Sequence, residues 1–236
     1  MAMEPDGAAT AAPLPRAVLF DLDGTIIDSV PDIRDSVAEL LGNHGLPPLD
    51  EDLIRTLVGR GLRVLVRRAF DAHGIALSET VLDIRYEEMK GIYARHLVGK
   101  TTLMPGALDA LGFLRERGCR LAIVTNKLSS ATETILAHLA IRPCFDAVVG
   151  DGPAIHRARL AHKPEPDMLL EALDQLAVPA RDAVMVGDSG FDVLAARAAG
   201  VRSIAVRGGY SSVALESFAP DELLTTLADL PALFGG

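Results

Sequence analysis

The chain has 236 residues, of which 49% are hydrophobic and 23% charged, and its formal net charge is −9. This length suits one large domain or one domain that carries a smaller insert. The acidic balance argues against a general nucleic-acid or anionic-membrane surface, which would need a basic face, so we expect neither partner.

The first segment, residues 1–15, is rich in alanine and proline and has neither a positively charged start nor a continuous apolar core. It does not resemble a signal peptide, and we expect it to be a disordered tail. No apolar run approaches the ~18–20 residues that a membrane span needs. Cys119 and Cys144 form no motif and are expected to be reduced thiols, which fits a cytoplasmic protein.

A buried strand is predicted at 17–20, and the run Asp21-Leu22-Asp23-Gly24-Thr25 follows it directly. Alternate side chains of a strand point the same way, so Asp21 and Asp23 could direct both carboxylates to one point. Carboxylates that close repel each other unless a cation or a shared proton lies between them. A polar turn would use the same residue types, so this run alone is compatible with either a turn or a site.

Residues 28–100 show only helical spacing of their apolar side chains. The first helix is predicted to begin after Ser29, where Asp32 three positions on resembles a capping box. It is predicted to end before Pro47 and Pro48, and the same helical spacing then continues to the end of the segment. We therefore predict an all-helical insert at 28–100.

Beyond residue 100, short apolar runs alternate with helical patterns. Strands are predicted at 121–124, 145–149, 183–186, 203–206 and 221–225, and helices at 107–117, 129–140, 166–177, 191–199 and up to 234. Unbroken apolar strands that alternate with helices indicate a parallel sheet covered on both faces. The predicted fold class is α/β: a Rossmann-like doubly wound parallel sheet, built from 16–27 and 101–236, with the helical domain inserted into it.

Polar side chains follow these strands at their carboxyl ends. Thr125 and Asn126 follow one strand, and Asp188 and Ser189 follow another. In an open parallel sheet these ends line the crevice where ligands bind. Lys163 joins them from the loop before a helix, so the sequence predicts a shared site.

The predicted site combines carboxylates, a hydroxyl and an ammonium group, and Asp192 adds a carboxylate one helical turn after Asp188. Hard oxygen ligands without histidine or cysteine suit Mg²⁺. The same set suits phosphoryl transfer, which depends on positioning and charge stabilisation. Asp21 could then act as a covalent nucleophile and Asp23 as the acid and base.

These four segments, with Lys163 in a Lys-Pro-x-Pro-Asp run, resemble in order the four motifs of the haloacid dehalogenase superfamily. The helical insert looks like the type-1 cap of that family. By this resemblance Asp21 is the nucleophile, Asp23 the general acid and base, and Thr125 a phosphoryl ligand, while Lys163 steadies the nucleophile and the phosphate. The implied Mg²⁺ ligands are the Asp21 carboxylate, the Asp23 carbonyl and Asp188, with Asp192 behind them or bound through water.

Within that family, the runs at 58–63, 124–127 and 162–164 are similar to those of phosphoglycolate phosphatases. This implies a small phosphorylated metabolite as substrate, with 2-phosphoglycolate the best single choice. Asn126 joins Thr125 and Lys163 as a candidate substrate-binding residue. Arg60, between two glycines of the insert, either binds the distal carboxylate of the substrate or is solvated or paired in a salt bridge within the cap.

Several points stay open at this stage. The segment between Asp151 and Lys163 is longer than usual in that family and carries the basic residues of 156–159. Arg207-Gly208-Gly209-Tyr210 stands where Trp-Gly-Tyr is often found. Lys127 either faces the phosphate or lies at the surface, and the protein is expected to be a monomer or a homodimer.

The alternatives within the family are a sugar-phosphate, nucleotide or pyrophosphate phosphatase and a β-phosphoglucomutase-like mutase. Gly187 argues against the mutase, since those enzymes usually carry glutamate before the metal-binding aspartate. An alternative from another class is a receiver-like phosphoacceptor signalling domain, which also pairs Asp, Thr, Lys and Mg²⁺. Such a domain is about half this length and has no inserted cap.

Overall fold

The computed structural model describes residues 12–157 and 160–236. Most of the predicted disordered tail, residues 1–11, lies outside the described residues, and so does Arg159 of the basic segment. From Ala12 onward the chain is tied to the C-terminus, because the Ala12 N–H donates to the carbonyl of Leu233 at 2.9 Å.

The strands of the described chain lie where the apolar runs predict them, with two short additions. They are β1 (Ala17–Phe20), β2 (Ile27–Asp28), β3 (Thr102–Leu103), β4 (Arg120–Leu128), β5 (Ala147–Asp151), β6 (Ala183–Gly187), β7 (Arg202–Val206) and β8 (Glu222–Leu224). Six of them form a parallel sheet in the order β5-β4-β1-β6-β7-β8. The additions, β2 and β3, pair antiparallel in a separate ribbon.

The helices divide into an inserted group and a group that flanks the sheet. The inserted helices are α1 (Val30–Asn43), α2 (Glu51–Leu57), α3 (Leu62–Asp71) and α4 (Glu79–His96). The flanking helices are α5 (Ala107–Glu116), α6 (Ser129–His138), α7 (Asp167–Leu176), α8 (Gly190–Ala199) and the short α9 (Leu230–Leu233). The inserted helices leave the sheet domain after β2 and return to it at β3.

Alternate residues of β1 contribute to two separate hydrophobic cores. Val18 and Phe20 pack with α5, α6 and the inserted helices, whereas Ala17 and Leu19 pack with α7 and α8. Successive side chains of a strand point to opposite faces, so the sheet is buried on both sides. The predicted doubly wound α/β fold with an inserted helical cap is confirmed.

The predicted capping box at the start of α1 is wrong. The Ser29 side chain accepts no capping hydrogen bond, and its Oγ instead donates to the carboxylate of Asp23 at 2.5 Å. Asp32 accepts from the N–H groups of Lys100 and Thr101 and from Oγ1 of Thr101. A buried carboxylate satisfies itself with whichever donors lie near it, and here those donors belong to the chain that returns from the cap.

The ribbon of β2 and β3 lies at the two ends of the predicted insert. The exact domain boundaries, 28–100 for the cap, stay a prediction. Within the described residues, we find no helix with the length and apolar character needed to cross a membrane.

Candidate active site

The sheet order brings three of the predicted strand ends together. β1 lies between β4 and β6, so Asp21 after β1 has Thr125 on one side and Asp188 on the other. The ladder between β1 and β6 continues one residue beyond the strand, because the Asp21 N–H donates to the Val186 carbonyl at 2.9 Å. The carboxyl end of the parallel sheet is therefore the place where these side chains meet.

Asp21, Asp188 and Asp192 form a buried carboxylate cluster, in which one oxygen of each lies within 4.8 Å of the others. The backbone of Gly209 packs directly against the Asp188 carboxylate, where a Cβ atom would overlap it. A Cβ atom on Gly24 would also overlap the Asp188 carboxylate, and the φ of Gly24, +84°, is one that residues with side chains rarely adopt. Both glycines therefore leave the space that Asp188 occupies.

Lys163 neutralises part of this cluster. Its Nζ lies 2.8 Å from Asp21 Oδ1 and 2.7 Å from Asp192 Oδ1, and it donates to the Val124 carbonyl at 2.7 Å. Burial alone would lower the pKa of Lys163, but the charges of Asp192 and Asp21 outweigh burial and raise it. The lysine is thus held as an ammonium group against the predicted nucleophile.

The cluster still holds more negative charge than Lys163 compensates. Burial, together with the charges of Asp192 and Asp23, raises the pKa of Asp21 to about 7 against the opposing effect of Lys163. Burial and the charges of Asp21 and Asp192 also raise the pKa of Asp188 well above its usual value. Buried oxygen ligands that repel one another fit a hard divalent cation, so this cluster can bind a metal ion.

The contacts of Asp188 and Asp192 differ. Asp192 Oδ2 accepts from the N–H and Oγ of Ser189 at 3.0 and 2.7 Å, a capping box at the start of α8, while its Oδ1 accepts from Lys163. Asp188 accepts from Thr25 Oγ1 at 3.3 Å and from the Tyr210 N–H at 2.6 Å. Because its partners are Lys163 and Ser189, Asp192 is arranged to orient Lys163 and the loop after β6.

The Asp23 carboxylate is not one of the three in this cluster. Its oxygens lie 2.7 and 2.9 Å from Nζ of Lys127, and Oδ1 also accepts from Ser29. Asp23 thus has surroundings unlike those of Asp21, two residues before it. Two carboxylates in two environments can take separate chemical roles.

Lys127 is the residue for which the sequence left a phosphate-facing and a surface position open. It is buried, and it lies in β4 beyond the predicted end of that strand, near a register shift between Val124 and Leu128. The only sequence signal was its spacing of two residues from Thr125, which places both on one side of a continuing strand.

Thr125 and Asn126 lie in the site but make different contacts. Thr125 is buried, and its Oγ1 accepts from the Lys127 N–H at 3.2 Å. The Asn126 amide donates to the carbonyls of Gly59 and Lys163 and accepts from the Lys163 N–H. The Asn126 side chain therefore joins the cap to the Lys163 loop, and its amide is already engaged by three backbone groups.

Two cavities adjoin Asp21 and Asp23. The smaller, about 40 Å³, is lined by Thr125, Lys127 and apolar side chains of the cap, and the larger, about 200 Å³, reaches Tyr210. The structure places Arg60 on the wall of the larger cavity, which Asp21 and Asp188 also line, and its guanidinium lies 5.5 Å from the ring centroid of Phe191.

Arg60 shares that wall with Arg68, and neither forms an ion pair with a carboxylate of the described residues. Burial and the charge of Arg60 lower the pKa of Arg68. Residue type and spacing do not separate Arg68 from Arg63 and Arg67, which lie on the same helix. Arg63 and Arg67 pair with Glu79, whereas Arg68 lies where the helix meets the larger cavity.

Comparisons with known proteins show the family to which the chain belongs. Residues 18–206 match the family described as haloacid dehalogenase-like hydrolase. The chain belongs to this family. A phosphoglycolate phosphatase of Rhodospirillum rubrum is 39% identical over 203 residues, which is 84% of this chain and 82% of that protein. One of Caulobacter vibrioides is 33% identical over 214 residues, with 91% and 88% of the two chains covered.

A solved structure has a similar fold. The crystal structure of a predicted phosphoglycolate phosphatase from Haemophilus somnus has a TM-score of 0.84 at 27% identity, and the match covers 93% of this chain and 98% of that one. The resemblance inferred from the four motifs is therefore confirmed, and so is the expectation of an enzyme of the hydrolase class. The activity named for these relatives is hydrolysis of a phosphoric monoester.

Proposed function

We propose that this hydrolase is a Mg²⁺-dependent phosphomonoester phosphatase that acts through an aspartyl-phosphate on Asp21. The observation on which the proposal rests is the placement of Asp21 between the ammonium of Lys163 and a second buried carboxylate, Asp188. We further propose 2-phosphoglycolate as the substrate, with glycolate and phosphate as products, in line with the names of the relatives.

The residues present fit Mg²⁺. Among the described residues, the ion-pair partners of Asp21, Asp23 and Asp192 are Lys127 and Lys163, and Asp188 has none. Two negative charges are therefore uncompensated when all four acids are ionised. Asp21 and Asp188 would hold the ion through their carboxylates and Asp23 through its carbonyl, with Asp192 behind them. Bound there, Mg²⁺ would neutralise charge on the phosphoryl oxygens.

The protein side chains would divide the two chemical steps between them. Asp21 attacks phosphorus through a carboxylate oxygen, and the bond from phosphorus to the ester oxygen breaks. Asp23 donates its proton to that departing oxygen and then takes a proton from the water that attacks the phosphoaspartate. The second step releases phosphate and restores the free carboxylate of Asp21.

Lys163 would support both steps through a contact that already exists, and Thr125 through its position at the same strand end. Lys163 Nζ holds Asp21 Oδ1 at 2.8 Å, which fixes the attacking group and adds a positive charge beside it. Thr125 is buried at the same strand end and lines the smaller cavity, where its hydroxyl could donate to a phosphoryl oxygen. Arg60 stays a candidate for attracting a second anionic group of the substrate.

The structure also bears on the mutase alternative. A Cβ atom at Gly187 would overlap the Asp192 carboxylate, so a glutamate before Asp188 has no room. This favours a hydrolase over a β-phosphoglucomutase-like mutase. We also propose that the protein works in the cytoplasm as a monomer or a homodimer, without nucleic-acid or membrane partners.

The test is phosphate release from 2-phosphoglycolate by the wild type, Asp21→Asn and Asp23→Asn, each with Mg²⁺ and with a chelator. We expect Asp21→Asn and metal removal to reduce release to background. We expect Asp23→Asn to reduce release strongly as well, because the departing oxygen then lacks its acid and the attacking water lacks its base. Asp109→Asn, on the exposed face of α5, is the matched control. Unchanged Mg²⁺-dependent release by Asp21→Asn would refute the mechanism.

A further inference from the structure

Tyr210 lies in the loop that follows β7, directly after the glycine that packs against Asp188. Its N–H donates to Asp188 Oδ2 at 2.6 Å, and a Cβ atom at Gly209 would overlap the same carboxylate. A carboxylate that binds a metal ion is oriented by its own hydrogen-bond partners. The main chain at 209–210 and the Asp188 carboxylate therefore fix each other's positions.

The side chain of Tyr210 reaches the point where the chain leaves the sheet domain for the cap. Its hydroxyl donates to Asp28 Oδ1 at 2.7 Å and accepts from the Ser29 N–H at 2.8 Å. Asp28 ends β2 and α1 begins at Val30, so both partners belong to the first cap linker. The tyrosine is 8% exposed, and its one donor and one acceptor function are both used there.

A helix of the cap contacts the same tyrosine. The guanidinium of Arg55, on α2, lies 5.2 Å from the centroid of the Tyr210 ring and 3.7 Å from Asp28 Oδ1. A guanidinium at this distance over the face of an aromatic ring is attracted to it. Arg55, Asp28 and Tyr210 thus join the cap, its first linker and the sheet domain.

The second linker, through which the chain returns from the cap, is bonded to the first. β2 pairs with β3, and Asp32 at the start of α1 accepts from the N–H groups of Lys100 and Thr101. We expect linkers joined in this way to move together. A contact that holds the first linker therefore bears on the position of the whole cap.

We propose that Tyr210 is a positioning residue that couples a cation bound at Asp188 to the position of the cap. This inference rests on the metal site of the proposed function. With a cation between Asp21 and Asp188, the Asp188 carboxylate is fixed and holds the Tyr210 N–H, while the Tyr210 hydroxyl holds the linker. In the second arrangement of the cap, the hydroxyl is released from Asp28 and Ser29. A cation shifts the balance between the two arrangements because only the first keeps Asp188 oriented by its partners.

This coupling would serve the reaction by ordering its preparation. Tyr210 also lines the larger cavity, together with residues of the cap and the carboxylates Asp21 and Asp188. A cap that closes more readily once the cation is bound encloses the substrate in a site where its charge is already compensated. Coupling between two sites is reciprocal, so closing the cap strengthens cation binding by the same factor.

The experiment follows hydrogen–deuterium exchange of the backbone amides at 27–30 and 100–103 in the full chain, with Mg²⁺ and with a chelator. In the wild type, we expect Mg²⁺ to slow exchange of these amides roughly five- to thirtyfold, since two hydrogen bonds carry the coupling. Tyr210→Phe keeps the ring and the main-chain N–H but loses the hydroxyl, so this effect of Mg²⁺ should disappear. A purely structural role would instead raise exchange by the same factor in both conditions.

Two further variants bracket this result. Asp28→Ala removes the acceptor of the hydroxyl and leaves Tyr210 intact, so it should abolish the Mg²⁺ effect as well, and the double variant should lose no more. It decides the test if Tyr210→Phe does not fold. Tyr86→Phe is the matched control, because it removes the hydroxyl of a tyrosine on α4 whose ring lies 5.0 Å from Lys90 Nζ. It should keep the wild-type response.

Titration calorimetry with Mg²⁺ alone measures the reciprocal effect. Tyr210→Phe should weaken Mg²⁺ binding by a factor similar to the one that exchange loses, whereas Tyr86→Phe should not. Exchange that Mg²⁺ slows equally in the wild type and in Tyr210→Phe would overturn the inference and leave the proposed function standing. The same holds if Mg²⁺ binds and supports phosphate release but slows exchange in neither protein. A wild type that binds no Mg²⁺ and releases phosphate without it would overturn the proposed metal-dependent function itself.

Discussion

Lys163 is the residue on which the stability and the charge balance of the site both depend. Its Nζ contacts Asp21 at 2.8 Å, Asp192 at 2.7 Å and the Val124 carbonyl at 2.7 Å, and the residue is 5% exposed. Lys163→Met keeps most of the side-chain volume but leaves two buried carboxylates and one carbonyl without their donor.

Removing one partner of a buried ion pair costs about 3–5 kcal/mol, and leaving a buried acceptor unpaired costs about 1–3 kcal/mol. These costs overlap here because the groups share one ammonium. We therefore expect Lys163→Met to lower the free energy of unfolding by about 4 kcal/mol in the absence of metal. Urea unfolding at neutral pH with a chelator measures it, and added Mg²⁺ should recover part of the loss, since a cation that binds only the folded state stabilises it.

Lys100→Met is the matched control, because Lys100 pairs with Asp35 at the surface, where ion pairs contribute about 0–1 kcal/mol. A second substitution should also restore stability: Asp21→Asn in the Lys163→Met background removes the charge that lost its partner. If Lys163→Met costs no more than Lys100→Met, Lys163 does not compensate the buried carboxylates and the electrostatic reasoning is refuted.

Two further predictions concern the same carboxylates. Gly209→Ala places a methyl group into the Asp188 carboxylate, so we expect a higher Mg²⁺ concentration for half-maximal phosphate release. The control is Gly112→Ala, which has nothing within 4 Å of its added methyl group. Equal Mg²⁺ dependence in both variants would contradict the prediction. The pKa of Asp21 is raised from 3.8 to about 7, so the folded metal-free protein holds a proton that the unfolded chain releases. The stability that this bound proton contributes is fully present below pH 3.8 and is lost as the pH rises through about 7. The raised pKa of Asp188 changes stability in the same direction. Melting temperatures of the chelated protein across this range should fall with pH and flatten in Asp21→Asn, whereas equal slopes in both proteins would count against it.

Much of the fold was predictable because its signals are local. The apolar runs at 17–20, 183–186 and 203–206 became β1, β6 and β7 within a residue at each end. The helical spacing of the insert likewise gave four helices. A strand or helix buried on a known face imposes its period on the sequence, and this period can be read without knowing the neighbours.

The elements that escaped prediction depend on pairing between distant segments. β2 and β3 are two residues each, too short for a periodic pattern, and exist because the two ends of the insert meet. β4 continues to Leu128 through a register shift, so its polar end looked like a loop in the sequence. The predicted capping box at Ser29 is absent for the same reason. Ser29 bonds to Asp23, and Asp32 bonds to the chain that returns from the cap.

By itself, the sequence determined the α/β class, the helical insert and the set of acids, because each follows from residue type, period and order along one chain. Only the tertiary structure decided how those acids differ. Lys163 comes to Asp21 and Lys127 to Asp23 from segments more than 100 residues away, so the two neighbouring carboxylates acquire separate partners. It also decided that Tyr93 of the cap lies beside Lys127. Electrostatic and hydrogen-bond energies depend on distance in space, which the order of residues does not specify.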